Sequence, residues 1–170
     1  MKFFGSSGIR AVYDKNLLDT AFRVGLAVGK FYCNIIVGRD TRTSGDAMRQ
    51  AVISGLQTSG ANCRDAGVTP TPTLAYITRE FDAGIMITAS HNPPEYNGLK
   101  LLNKDGSSFD LLQQNMIEPQ LAANIPVAGS CDIYISFRKG ILHSLHLESF
   151  HQGLKCTNRI DLCNNHPCTI

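Results

Sequence analysis

The chain has 170 residues, 43% hydrophobic and 18% charged, with a formal net charge of +2. This composition excludes a disordered or collagen-like polymer and fits one globular domain, or one plus a fragment. The small charge gives no reason to expect a nucleic-acid or membrane partner.

Residues 17–31 read as a helix, with Leu18, Phe22, Leu26 and Val28 forming most of an apolar stripe and Asp19 and Lys30 suited to the helix dipole. Residues 33–37, bounded by Gly38, fit a buried strand. Residues 44–58 read as a second helix, capped by Ser44 or Asp46, with Met48, Val52, Ile53 and Leu56 inward and Gly60 past its end. A weaker strand follows at 62–68, then a helix at 71–81 with Pro72 in its first turn. Residues 83–88 form a strong buried strand. Asn97-Gly98 reads as a tight turn that brings a strand at 98–102 back beside the preceding loop. A helix is expected at 111–123. Past Pro126 the pattern changes. Residues 133–150 are compatible with a long helix, and from Cys156 onward no period is visible.

Strands alternating with helices on short connections predict an α/β fold, a layered, mostly parallel sheet with flanking helices. Ligands in such sheets sit beyond the C-terminal ends of the strands, where two polar loops fall, 38–45 and 89–98. The uncharged runs 50–63 and 83–94 are too short to span a bilayer, and the start MKFFGSSGIR lacks the apolar stretch of a secretory signal. A cytoplasmic location is therefore expected. Of the six cysteines (Cys33, Cys63, Cys131, Cys156, Cys163, Cys168) none forms C-x-x-C. Cys163, His166 and Cys168 are near enough to share a metal, but free thiols in a reducing cytosol are the plainer reading.

Thr88-Ala-Ser-His-Asn-Pro-Pro-Glu-Tyr-Asn-Gly-Leu-Lys100 is the most informative segment. A buried strand ends and gives way at once to small polar residues and two prolines, so Ser90 sits on a stiff loop at the sheet edge, where it can act as a nucleophile or hold a phosphoryl group. Lys100 on the returning strand could lie near it, as a cation or a proton-transfer group. A Ser/His hydrolase fits less well, because the side chains of adjacent Ser90 and His91 diverge and G-x-S-x-G is absent. The G-K-[ST] of a P-loop and the G-x-G-x-x-G of a dinucleotide site are also absent. In Gly38-Arg-Asp-Thr-Arg42, Arg39 and Arg42 flank Asp40 between a strand end and a helix start. That is either a surface ion-pair cluster or a guanidinium that organises a phosphate. Gly5-Ser-Ser-Gly-Ile-Arg10 is a glycine-flanked loop ending in arginine, and Thr69-Pro-Thr-Pro-Thr73 is a helix start.

Together these segments resemble the α-D-phosphohexomutases, the phosphoglucomutase, phosphomannomutase and phosphoglucosamine mutase group. TASHNPPEYNGLK is similar to that family's phosphoserine loop, FGSSGIR to its N-terminal motif, VGRDTRTSG to its first crossover loop and GVTPTPTLAY to the segment before the active-site strand. They occur in the family's order over roughly residues 3–129. The resemblance implies a first domain in which Ser90 carries a phosphoryl group, gives it to a hydroxyl of a hexose phosphate to make a bisphosphate sugar, and takes back the other phosphate after the sugar turns over. By the same resemblance Lys100 is the proton-transfer residue and Arg10 the arginine near it. His91 joins this catalytic set, while Ser7, Arg39 and Asn92 bind substrate phosphate. Mg²⁺ would bind an oxygen of the phosphate on Ser90. Cations beside a phosphoserine make physical sense, since it brings about −1.5 to −2 charges, and phosphoryl transfer relies on positioning and charge stabilisation.

The family's Asp-Gly-Asp-x-Asp-Arg metal loop, Gly-Glu-x-Ser-Gly sugar loop and later phosphate loop do not occur in these residues. The expected organisation is a first domain at 1–130, a lead-in to a truncated second domain at 131–155, and a divergent, disordered tail at 156–170 produced by a change of reading frame near residue 156. Two functions follow as expectations. One is a phosphohexomutase, inactive as this chain alone. The other is a non-catalytic remnant or partner-binding domain that self-associates through surface the missing domains leave bare.

Overall fold

The computed structural model describes residues 3–5 and 8–122. Ser7, the expected helix at 133–150, the lead-in at 131–155, the tail from 156 and the cysteines from Cys131 onward lie outside them. In chain order the elements are β1 (Ile9–Val12), α1 (Lys15–Phe31), β2 (Asn34–Arg39), α2 (Gly45–Ser59), β3 (Asn62–Val68), α3 (Thr71–Ile77), β4 (Ala83–Ile87), β5 (Tyr96–Asn103) and α4 (Leu111–Ala122).

The expected α/β layering is present, and its sheet is mixed, with strand order β1-β5-β4-β2-β3. β2 runs parallel to β3 and β4, whereas β5 is antiparallel to β4 and β1. The reason is the connection from β4 to β5, which contains no helix. Without a crossover element a chain can only return antiparallel.

Strand alternation divides the core between the two faces. Ile35, Val37, Ile85, Ile87, Leu99 and Leu101 face the larger core, shared with buried residues of α1, α2 and α4. Ile36, Met86 and Leu102 face a smaller cluster with Leu74 of α3. β4 is buried along its whole length, which explains its unbroken apolar sequence.

Local chemistry sets the element boundaries. Asp14 caps α1, its side chain accepting from the Leu17 N–H at 2.8 Å. The buried face of α1 is Leu17, Ala21, Val24, Gly25, Ala27 and Val28, which corrects the expected stripe. Leu18, Phe22 and Leu26 are only half-buried, because α2 approaches so closely that small residues take the contact. Ser44 precedes α2 without a capping bond of its own. α2 ends at Gly60, left-handed at φ +86°. α3 stops at Ile77, four residues short of expectation, and gives way to a 3₁₀ turn at Thr78–Glu80. No helix among the described residues is long and apolar enough to cross a membrane.

Half-buried Cys63 on β3 carries a pH-dependent consequence. Burial, reinforced by the Asp65 carboxylate and partly offset by Arg49, pushes its thiol from 9.0 up to about 11. The folded value is raised, so the stability linked to this thiol is intact below pH 9 and lost as pH rises toward 11. Thiolate is the reactive form, so iodoacetamide at pH 8.5 should label Cys63 roughly a hundredfold more slowly in the folded chain than in urea. Peptide mapping of timed samples checks this, and equal rates would contradict it.

Candidate active site

The connection from β4 to β5 holds Ser90 at φ +57°, the only non-glycine residue with positive φ among the described residues. A left-handed serine costs about 1 kcal/mol and must be held by its surroundings. Its N–H donates to Thr88 Oγ1 at 2.9 Å, and the Thr88 hydroxyl donates to Asp40 Oδ2 at 2.7 Å. Asp40 also accepts from the backbone N–H and Nε of Arg42, each at 3.1 Å. From there the Arg42 guanidinium reaches back across the loop. Nη1 donates to the carbonyls of Pro93 (2.6 Å) and Tyr96 (3.0 Å), and Nη2 to those of Ser90 (2.8 Å) and Asn92 (2.7 Å). The two polar loops thus form one hydrogen-bonded body.

Asn97-Gly98 is not a turn. Both residues lie inside β5, where they pair with Ala11 and Arg10 of β1. Asn97 is fully buried, and its amide donates to Ser44 Oγ at 2.8 Å while its Oδ1 accepts from the Gly98 N–H. Glycine at 98 is required by close approach: a Cβ there would collide with the Ile9 carbonyl and lie 2.9 Å from Arg10 Cγ and 3.0 Å from the Thr88 carbonyl.

This register places the cations. Arg10 stands opposite Gly98, and the Thr88 N–H donates to the Gly98 carbonyl at 3.0 Å, so Arg10, Gly98 and Thr88 form a row across three strands. Lys100, paired with Met86, is two residues along β5 on the same face as Gly98. It is the face of α3, whose helix covers only the cluster around Leu74. The buried Arg10 Nε has no acceptor among the described residues. Among the described residues neither the Lys100 amine nor the Ser90 hydroxyl makes a hydrogen bond or ion pair. Arg42 differs sharply from both, because every donor it has is spent on the protein.

The remaining expected residues fall as follows. His91 is exposed on the loop. Asn92 is half-buried, and its N–H donates to the Ala89 carbonyl at 3.1 Å. Arg39 leans toward the start of α2, with Nη1 on the Asp40 carbonyl (3.3 Å) and Nη2 paired with Asp46 (3.0 Å), and its Nε is buried without an acceptor. Beside Ser7, which is not described, the Gly5 N–H donates to the Gly8 carbonyl at 3.0 Å. Gly8 has φ +95°, and any Cβ on it would meet the Leu99 carbonyl, so this segment lies directly alongside β5. A hollow of about 40 Å³ opens there between Phe4, Gly8, Lys100 and Phe109. Sequence reasoning missed Thr88 and Asp40 as supports of the loop. Their signal was a polar residue at the C-terminal end of each of two adjacent strands.

Among the described residues no cluster of three or more His, Cys, Asp or Glu side chains could hold a metal. Asp40, the carboxylate in contact with the loop, has both oxygens committed. The described residues therefore do not make a Mg²⁺ site on their own.

Ser90 is thus presented from a braced loop just beyond the strand ends. Over residues 1–126 the sequence matches the family described as phosphoglucomutase/phosphomannomutase, alpha/beta/alpha domain I. The chain belongs to that family. It is 56% identical over 119 residues to the phosphoglucosamine mutase of Methanococcus aeolicus, covering 69% of this chain and 26% of the relative. To the phosphoglucosamine mutase of Methanococcus maripaludis it is 49% identical over 123 residues, covering 72% of this chain and 27% of the relative. Among solved structures it superposes on a phosphoglucomutase/phosphomannomutase family protein of Burkholderia thailandensis with a TM-score of 0.61 at 30% identity, covering 71% of this chain and 30% of that one. The chain spans about a quarter of the length of the curated relatives it matches.

Proposed function

We propose that this domain is the phosphoserine-bearing part of a phosphohexomutase that moves phosphate between the 1- and 6-positions of a hexose or hexosamine phosphate. The observation that carries the reading is the contrast between spent and unspent groups. Ser90 is held in a left-handed conformation on an exposed loop, and Arg10 and Lys100 share a sheet face with no protein partner among the described residues. Two such cations are suited to a phosphoryl group bearing close to two negative charges.

In the proposed reaction a sugar hydroxyl attacks the phosphorus on Ser90. A new P–O bond forms to the sugar as the bond to Ser90 Oγ breaks, the hydroxyl loses its proton, and Ser90 Oγ regains one. Lys100 is the group assigned to that proton traffic, and Arg10 holds the phosphoryl oxygens through its planar donors. The bisphosphate sugar then turns over and returns its other phosphate to Ser90. His91 and Asn92 belong to the loop that presents the serine, and Ser7 and Arg39 remain assigned to substrate phosphate. Mg²⁺ is the implied cofactor, its full ligand set is not supplied by the described residues, and no step here is routed through it. Identity to phosphoglucosamine mutases favours a hexosamine phosphate.

Because so little of the relatives' length is present, the 170-residue chain is expected to accept phosphate without sustaining turnover. The test is intact mass after incubation with a bisphosphate sugar and Mg²⁺, beside a coupled mutase assay. The unaltered chain should gain one phosphate on Ser90 and Ser90→Ala none, with no robust turnover in either. Failure of the chain to gain phosphate would overturn the assignment of Ser90, and robust turnover would overturn the expected dependence on further domains. Leu111, Leu112 and Met116 are exposed on α4, and this apolar surface is what favours the second reading, a self-associating or partner-binding domain.

A further inference from the structure

We infer that Arg42 is the positioning residue of the phosphoserine loop, a clamp that fixes the serine rather than a ligand for phosphate. The inference rests on the phosphoserine reading for its functional half and on geometry alone for its structural half. An arginine has five N–H donors. Here Nε goes to Asp40 and the four Nη donors go to the carbonyls of Ser90, Asn92, Pro93 and Tyr96. The side chain is only 11% exposed, and with all five donors engaged none is left over for a ligand.

The consequence for Ser90 is specific. Its carbonyl is pulled onto Arg42 while its N–H is held by Thr88, which hangs from the same Asp40 that neutralises Arg42. Both sides of the left-handed residue are pinned to one ion pair. Neither the serine hydroxyl nor the His91 N–H makes a hydrogen bond among the described residues. Lysine cannot substitute, because three donors on a single nitrogen cannot serve four carbonyls and a carboxylate.

The experiment uses the full chain and two variants, Arg42→Lys and Arg42→Met, with two readouts. Hydrogen exchange is followed at the Ser90, Asn92 and Tyr96 amides and at the Ile85 and Ile87 amides of β4, and the rate of phosphate gain on Ser90 is followed by intact mass with a bisphosphate sugar. Both variants should exchange the three loop amides at least about tenfold faster while β4 is unchanged, and phosphate gain should slow about a hundredfold. Unchanged loop exchange would overturn the clamp. Equal loss of protection in the loop and in β4 would also overturn it, by making Arg42 a general stability residue. A loosened loop with undiminished phosphate gain would overturn its positioning role. If the loop loosens and the unaltered chain gains no phosphate at all, the clamp stands and the phosphoserine reading falls.

Discussion

Alanine in place of Gly55 should lower the unfolding free energy by about 3 kcal/mol, and valine there should leave no folded chain to purify. Helix propensity alone points the other way, since alanine is favoured over glycine in a helix by about 1 kcal/mol. Geometry decides the sign. A Cβ on Gly55 would collide with the Phe22 carbonyl and lie 2.7 Å from the Leu26 N. On the facing helix a Cβ on Gly25 would collide with the Val52 carbonyl and lie 3.1 Å from the Leu56 N. All of these atoms are backbone, so no side chain can rotate away, and α1 and α2 must separate along the whole crossing, unpacking Val24, Val28, Val52 and Leu56 from the main core. Gly25→Ala should cost a similar amount. The double variant should fall short of the sum, because both changes push apart the same two helices. Urea denaturation checks this against Ser54→Ala, an exposed change on α2 expected to stay within about 0.5 kcal/mol. A Gly55→Ala chain at least as stable as the original would show that the helices are not held at backbone contact.

The same crossing explains where the sequence was readable and where it was not. Large apolar residues mark a buried face only when the neighbour stands at side-chain distance. Met48, Val52 and Leu56 followed that rule on α2, whereas on α1 the contact passed to Ala21 and Gly25 and left Phe22 and Leu26 half-buried. β4 was legible because both its faces are covered, so every position is apolar. β1 was not, since Ile9-Arg-Ala-Val12 is a four-residue edge strand with a single buried position, Ile9, and its signal comes from its partner β5. Asn97-Gly98 carries the local signature of a turn, yet Asn97 spends its amide on Ser44 and on its own neighbour, and Gly98 makes room for β1. At the candidate site the serine and the lysine could be picked out from a strand end and a return strand. The division of labour among the arginines could not. Arg10, Arg39 and Arg42 are chemically identical in the sequence, and only tertiary register determines that Arg42 meets four carbonyls while Arg10 meets none among the described residues.

Asp40 should prove the costliest polar residue of the site to remove, because it joins two loops through three hydrogen bonds. Asp40→Ala deprives a largely buried guanidinium of its counter-charge, the Arg42 N–H of its acceptor and the Thr88 hydroxyl of its anchor. Removing one partner of a buried pair costs about 3–5 kcal/mol. Asp40 is 24% exposed and Arg42 11%, and the four carbonyls still solvate the guanidinium, so about 3 kcal/mol is expected. Asp40→Asn loses the charge and also puts an NH2 where one of the two accepting oxygens stood, so it should recover only part of that cost. If Asp40 acts as the shared post for Arg42 and Thr88, Thr88→Val should destabilise the original chain by about 1 kcal/mol and the Asp40→Ala chain by almost nothing. The double-mutant cycle in urea measures that coupling directly. An additive cycle would mean that Thr88 and Asp40 act separately, and that the serine loop is held by Arg42 without help from the end of β4.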